Sequence, residues 1–188
     1  MALIQFFFPK GKSGFGFSSS AEEVIKNIDI SNKVYLITGC NSGLGFETVK
    51  TLCKNGATVL SCAKTIEKSY NSCNKISRNA LPFACDLSEP KSIYKLIDEV
   101  KKSGYLLDGI IANAAVMALP FLELKFGYEK QFFTNHIGHF ILVNNLLPLL
   151  KPKGRIVILS SISHKWTYKE GIQFDNLDGK KGYSPWLA

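Results

Sequence analysis

The stretch Thr38-Gly39-Cys40-Asn41-Ser42-Gly43-Leu44-Gly45 decides how the rest of the chain is read. It follows the apolar run Val34 to Thr38 and precedes a helical stretch that closes near Asn55-Gly56, where a glycine C-cap is expected. The order is strand, glycine turn, helix. Small residues suit that order, because the backbone must turn sharply and let a neighbour approach closely. The helix begins with N–H groups that have no acceptor within it, and their partial positive charge favours a pyrophosphate. Gly39, Asn41, Ser42, Gly43, Leu44 and Gly45 are therefore candidate phosphate contacts.

Working outward, four further apolar runs are bounded by turn residues or helical patterns: Thr58 to Cys62, Leu81 to Cys85, Gly109 to Asn113 and Arg155 to Leu159. They read as buried strands. Between them, Ile93, Leu96, Ile97 and Val100 recur at helical spacing with Ser88 placed as N-cap, and Phe133, Ile137, Phe140 and Ile141 repeat the pattern. Strands alternating with amphipathic helices predict an α/β fold, a Rossmann-type doubly wound parallel sheet with helices on both faces and about five strands. Residues 1–32 form an arm and a short helix, whose capping box pairs Ser19 or Ser20 with the glutamate three positions on. Residues 33–188 form the nucleotide-binding domain, with no repeat or linker dividing them.

Composition excludes several classes. The chain has 188 residues, 46% hydrophobic and 20% charged, which fits one soluble globular domain. Its formal charge of +8 comes from lysines spread along the chain, with arginine only at Arg78 and Arg155, so a nucleic-acid partner is not expected. The apolar opening stretch Ala2 to Phe8 is too short for a membrane span and lacks the flanks of a signal peptide. A membrane or complex contact through Ile4 to Phe8 is one further reading. The five cysteines, Cys40, Cys53, Cys62, Cys73 and Cys85, have no metal or redox spacing, and reduced thiols in the cytoplasm are the simpler reading. No metal site is expected.

The spacing Gly39, Gly43, Gly45 resembles the Thr-Gly-x-x-x-Gly-x-Gly motif of the short-chain dehydrogenase/reductase family. Ala112-Asn113-Ala114-Ala115 at the end of the fourth strand looks like that family's Asn-Asn-Ala-Gly element, with Ala115 where glycine is usual, and Asp86-Leu87 after the third strand resembles its adenine-contacting Asp. Asn135 to Phe140 and Ile156 to His164 look like the segments carrying the catalytic asparagine and serine. The likeness runs from about Lys33 onward. It is strongest to the subgroup of retinol dehydrogenases, WW-domain oxidoreductase and their plant chloroplast-envelope relatives. It implies hydride transfer between a nicotinamide dinucleotide and an alcohol or carbonyl substrate, apolar or retinoid-like in that subgroup. No Asp or Glu lies between Glu47 and Glu67, while Lys64 follows the second strand where a ribose 2′-phosphate would be met. NADP(H) is favoured over NAD(H).

The resemblance places Asn135 in the proton relay and Ser161 on the substrate oxygen, and it gives the three histidines structural or rim roles. It also implies a homodimer of the full-length form. The family's acid–base residue is a tyrosine, made a usable base by a lysine four positions later. None of the seven tyrosines here has that lysine, and Gly182 to Ala188 look like the segment that leads into the pair. The chain is thus expected to be a fragment, with the last strands missing and the fifth strand left as an exposed apolar edge. The alternative is a non-catalytic nucleotide-binding or redox-sensing module.

Overall fold

The computed structural model describes residues 10–16, 18–165, 168–169 and 171–186. The run Ile4 to Phe8 lies outside them. A short helix α1, Ala21–Ile25, starts at Ser20, whose hydroxyl accepts from the Glu23 N–H while the Glu23 carboxylate accepts from the Ser20 N–H. The capping box therefore uses Ser20, and Ser19 instead accepts from Gly16 N–H.

Five strands form one parallel sheet: β1 Val34–Thr38, β2 Thr58–Ala63, β3 Ala80–Ala84, β4 Leu107–Ala112 and β7 Leu150–Ile158. Their order is β3-β2-β1-β4-β7, so the chain winds outward from β1 in both directions. Helix α2, Gly43–Lys54, follows β1; α3, Ile66–Cys73, follows β2; α4, Pro90–Ser103, follows β3. Side chains alternate along each strand and so feed two cores. Leu36, Leu60 and Ile110 pack beneath Ile93, Leu96, Ile97 and Val100 of α4, while Ile37 and Val59 pack beneath Val49 and Cys53 of α2. The expected doubly wound architecture is present, with helices on both faces.

Three local readings need correction. Ser88 does not cap α4. Pro90 fills the first helical position and Glu89 the N-cap, without a side-chain bond, while the Ser88 hydroxyl donates to Asp86 Oδ1 at 2.7 Å. A short polar side chain has found a nearer acceptor than the helix end. Next, a hairpin of β5, Leu124–Lys125, and β6, Tyr128–Glu129, precedes the helical stretch that carries Asn135. That stretch runs as α5, Lys130–Phe132, then a π-helix, Phe133–Gly138, then α6, His139–Leu146. The wider turn spends an extra residue and rotates everything after it. The buried stripe accordingly passes from Phe133 to Leu142, Val143 and Leu146, and Phe140, expected inside, is 63% exposed. Last, the fifth strand, expected over Arg155 to Leu159, runs from Leu150 to Ile158, so Ser161 lies beyond its end.

Candidate functional site

The turn after β1 is built by backbone. Gly39, at φ 72°, and Cys40 donate their N–H groups to the Cys62 carbonyl at 2.8 and 3.2 Å. Ser42, the N-cap of α2, makes no side-chain bond to the helix, so its hydroxyl leaves the first N–H groups of α2 uncapped. Gly45 sits so close to this turn that a Cβ would lie 2.2 Å from the Gly39 carbonyl oxygen and 2.6 Å from Asn113 Nδ2. Only hydrogen fits there. The Asn113 amide in turn donates to the carbonyls of Thr38 at 2.8 Å and Gly39 at 3.3 Å, which fastens the end of β4 to the turn.

Around this turn lies a cleft of about 400 Å³, within the usual range for a small-molecule site. Every predicted cofactor residue except Gly43 lines it. Gly39, Asn41, Ser42, Leu44 and Gly45 come from the turn, Lys64 from the end of β2, Asp86 and Leu87 from the end of β3, and Asn113, Ala114 and Ala115 from the end of β4. All stand outside the carboxyl ends of the strands where the strand order reverses, the usual ligand position in an open α/β sheet. Cys85, Ser88, Val116, Lys130, Thr134 and Leu159 line it as well. The sequence does not mark these six as cleft residues, because their places depend on how remote elements pack.

Charge in the cleft is arranged around Asp86. Its carboxylate lies 3.2 Å from the Lys64 ammonium and accepts from both the N–H and the hydroxyl of Ser88, at 2.9 and 2.7 Å. Burial pushes the Asp86 carboxyl up, but the bonds from Ser88 and Lys64 together outweigh it, and the group stays ionised below its ordinary value. The Lys130 ammonium is likewise held, 2.6 Å from Glu123.

Asn135 and Ser161 do not line the cleft. The Asn135 side chain is bonded in both directions to one backbone unit: its Oδ1 accepts from the Val116 N–H at 2.9 Å and its Nδ2 donates to the Val116 carbonyl at 2.8 Å. Ser161 is exposed at the start of a 3₁₀ turn, Ile162–Lys165, and its carbonyl accepts from the His164 N–H. Thr38, which the sequence had not singled out beyond its place before Gly39, is a hub. Its Oγ1 accepts from the N–H groups of Asn113 and Ala114, both at 3.0 Å, and lies 2.9 Å from His139 Nε2. Among the described residues no group of three His, Cys, Asp or Glu side chains could hold a metal. No helix among them is long and apolar enough to cross a membrane.

The family model for short chain dehydrogenases matches residues 33–174, which include the glycine turn and all the cleft residues. The chain belongs to the short chain dehydrogenase family. Among its relatives, the Brassica napus short-chain dehydrogenase TIC 32 B, chloroplastic, is 40% identical over 187 residues, covering 93% of this chain and 58% of that protein. Mouse retinol dehydrogenase 11 is 36% identical, covering 86% and 52%, and human WW domain-containing oxidoreductase is 31% identical, covering 85% and 40%. This short chain dehydrogenase thus spans about half the length of these curated relatives. Of solved structures, an uncharacterised protein from Mycobacterium paratuberculosis superposes with a TM-score of 0.73 at 34% identity, over 84% of this chain and 56% of that one. A 3-ketoacyl-(acyl-carrier-protein) reductase from Brucella melitensis, complexed with NADH, gives a TM-score of 0.53 at 25% identity, over 63% and 50%. As a member of an oxidoreductase family that binds nicotinamide dinucleotides, the short chain dehydrogenase described here has a parallel sheet of the expected kind.

Proposed function

We propose that the cleft binds NADP(H) in preference to NAD(H), and that the chain carries the cofactor-binding part of an oxidoreductase acting on an apolar alcohol or carbonyl compound. The observation that carries this reading is the fit of the Gly39 to Gly45 turn, where Gly45 leaves no room for a side chain and the helix end behind it has no side-chain cap. A pyrophosphate suits that cradle. When bound, the dinucleotide supplies the hydride donor or acceptor. The chain's own residues bind and orient it: the N–H groups of the turn and of α2 meet the pyrophosphate, and Asp86 and Leu87 receive the adenine. Lys64 supports the NADP(H) preference, being a cation on the cleft at the end of a strand with no carboxylate of its own. Its ammonium holds Asp86 at one position and keeps further N–H donors for a 2′-phosphate.

At the reacting end we place Ser161 on the substrate oxygen and Asn135 in the proton relay, by their positions in the motifs. The name of retinol dehydrogenase 11 supports an apolar, retinoid-like substrate, and five buried unpaired cysteines support a reducing compartment, the cytoplasm first. A homodimer is proposed for the full-length form. A second reading, dinucleotide binding without turnover, is favoured by one fact: no tyrosine of this chain is followed four residues later by lysine.

The test is a titration of the chain with NADPH and with NADH, followed by nicotinamide fluorescence. NADPH is expected to bind more tightly, and Lys64→Glu to weaken it by about tenfold or more through loss of a charge-assisted contact. Equal affinity for both dinucleotides in both proteins would end the NADP(H) assignment, and no binding of either would end the cofactor reading. NADPH oxidation with a panel of carbonyls would separate turnover from binding alone.

A further inference from the structure

We propose that His139 is a positioning residue, whose neutral ring, protonated on Nδ1, ties Thr38 to Asn135 and so fixes the floor of the cleft. Its ring contacts are Nε2 to Thr38 Oγ1 and Nδ1 to the Asn135 carbonyl, both at 2.9 Å, and the residue is 5% exposed. The two contacts admit one arrangement of hydrogens. A carbonyl only accepts, so Nδ1 must carry a hydrogen. Thr38 Oγ1 already accepts two backbone N–H groups, which fills its lone pairs, so its own hydrogen goes to Nε2. A doubly protonated ring would present Thr38 Oγ1 with a third donor.

The arrangement matters because of what the two partners hold. Thr38 holds the N–H groups of Asn113 and Ala114, and Asn135 holds both backbone groups of Val116. Asn113, Ala114 and Val116 line the cleft. The segment is thus pinned at its start from β1 and at its end from the π-helix, and His139 joins the two pins. Its own seat is fixed by Gly138, where a Cβ would lie 2.3 Å from the Leu87 carbonyl oxygen and push the helix off the opposite wall of the cleft.

The experiment uses the whole chain and has two readouts that need no cofactor. Nitrogen NMR of the ring at neutral pH is expected to show an N–H at Nδ1 and a bare Nε2. Amide exchange of Asn113, Ala114 and Val116 is expected to quicken by about tenfold or more in His139→Phe, which fills the space without either bond, while the amides of β2 keep their protection. His139→Gln, whose amide can accept from Thr38, should restore protection at Asn113 and Ala114. An Nε2-protonated ring, or unchanged exchange in His139→Phe, would overturn the proposal; if that variant does not fold, the ring tautomer and the Gln variant decide. A consequence for dinucleotide affinity rests on the cofactor reading above. With the wild type binding NADPH, His139→Phe should bind at least about fivefold more weakly. Failure of the wild type to bind would sink the cofactor reading and leave exchange to judge His139.

Discussion

Strands β1 and β2 have neighbours on both sides and helices over both faces, and Leu36, Ile37, Val59 and Leu60 are all 0% exposed. Among the described residues strand β7 pairs only with β4, and its Ile156, Val157 and Ile158 are 37%, 49% and 65% exposed. The residue types are the same in both places. Successive apolar residues, which put bulk on both faces, are the mark of a strand meant to be covered on each. The composition of β7 is therefore that of an interior strand, although in this chain it lies at an edge. The glycine-turn side has its close packing within the residues described here; the β7 side does not.

The sharpest way to break that contrast is to add volume where none is free. Gly45→Val should cost about 4 kcal/mol, since the nearest atoms are a backbone oxygen and a bonded amide that cannot yield. Gly43→Ala, at φ 57° with nothing within 4 Å, should cost only about 1 kcal/mol of backbone strain. Urea unfolding of the pair gives the comparison, and equal losses would show that the turn is not closely packed.

Removing volume should separate the two sides in the same way. Leu60→Ala is expected to cost about 3 kcal/mol, as for a fully buried leucine. Ile158→Lys should change stability by about 0.5 kcal/mol or less while reducing self-association in sedimentation. A large loss of stability at Ile158 would mean that β7 is better covered than its exposure indicates.

The smallest effect is one of pH. Burial, the larger influence, holds the His139 ring below the ordinary value of 6.5, although the Asn135 carbonyl pulls it the other way. The unfolded chain takes up the proton first. The stability contributed by the neutral ring is complete above pH 6.5 and is lost as the pH falls through the lower folded-state value. Denaturant midpoints measured between about pH 7.5 and 5.5 should fall for the wild type and fall less for His139→Gln.

What could be read in advance was what is written locally. The strands are continuous short apolar runs, and the glycine turn is a spacing, so both stood in the sequence before any contact was known. The π-turn did not, because one added residue per turn leaves the apolar residues in place and changes only which of them face inward, as Phe140 and Leu142 show. The hairpin was hidden for a related reason. Its turn puts Phe126 at φ 51° and Gly127 at φ 86°, a conformation that the phenylalanine gives no reason to expect. Ser88 has the residue type and position of a cap, but Asp86, two residues earlier, is a nearer acceptor for its hydroxyl than the helix end. The bond between Thr38 and His139 spans 101 residues and has no local trace.

All five cysteines belong to the well-packed side, at the glycine turn, in α2, β2 and α3, and just past β3. Burial pushes the Cys53 thiol up to about 11 and Cys85 up to about 12, and Cys62 also well above its ordinary value. Such thiols are silent toward alkylating reagents at neutral pH while the packing is closed. These five thiols thus form a set of clocks: with no cysteine between Leu150 and Ala188, the rate at which they appear times the opening of the nucleotide half, and Cys85, on the wall of the cleft, times the opening of the site itself.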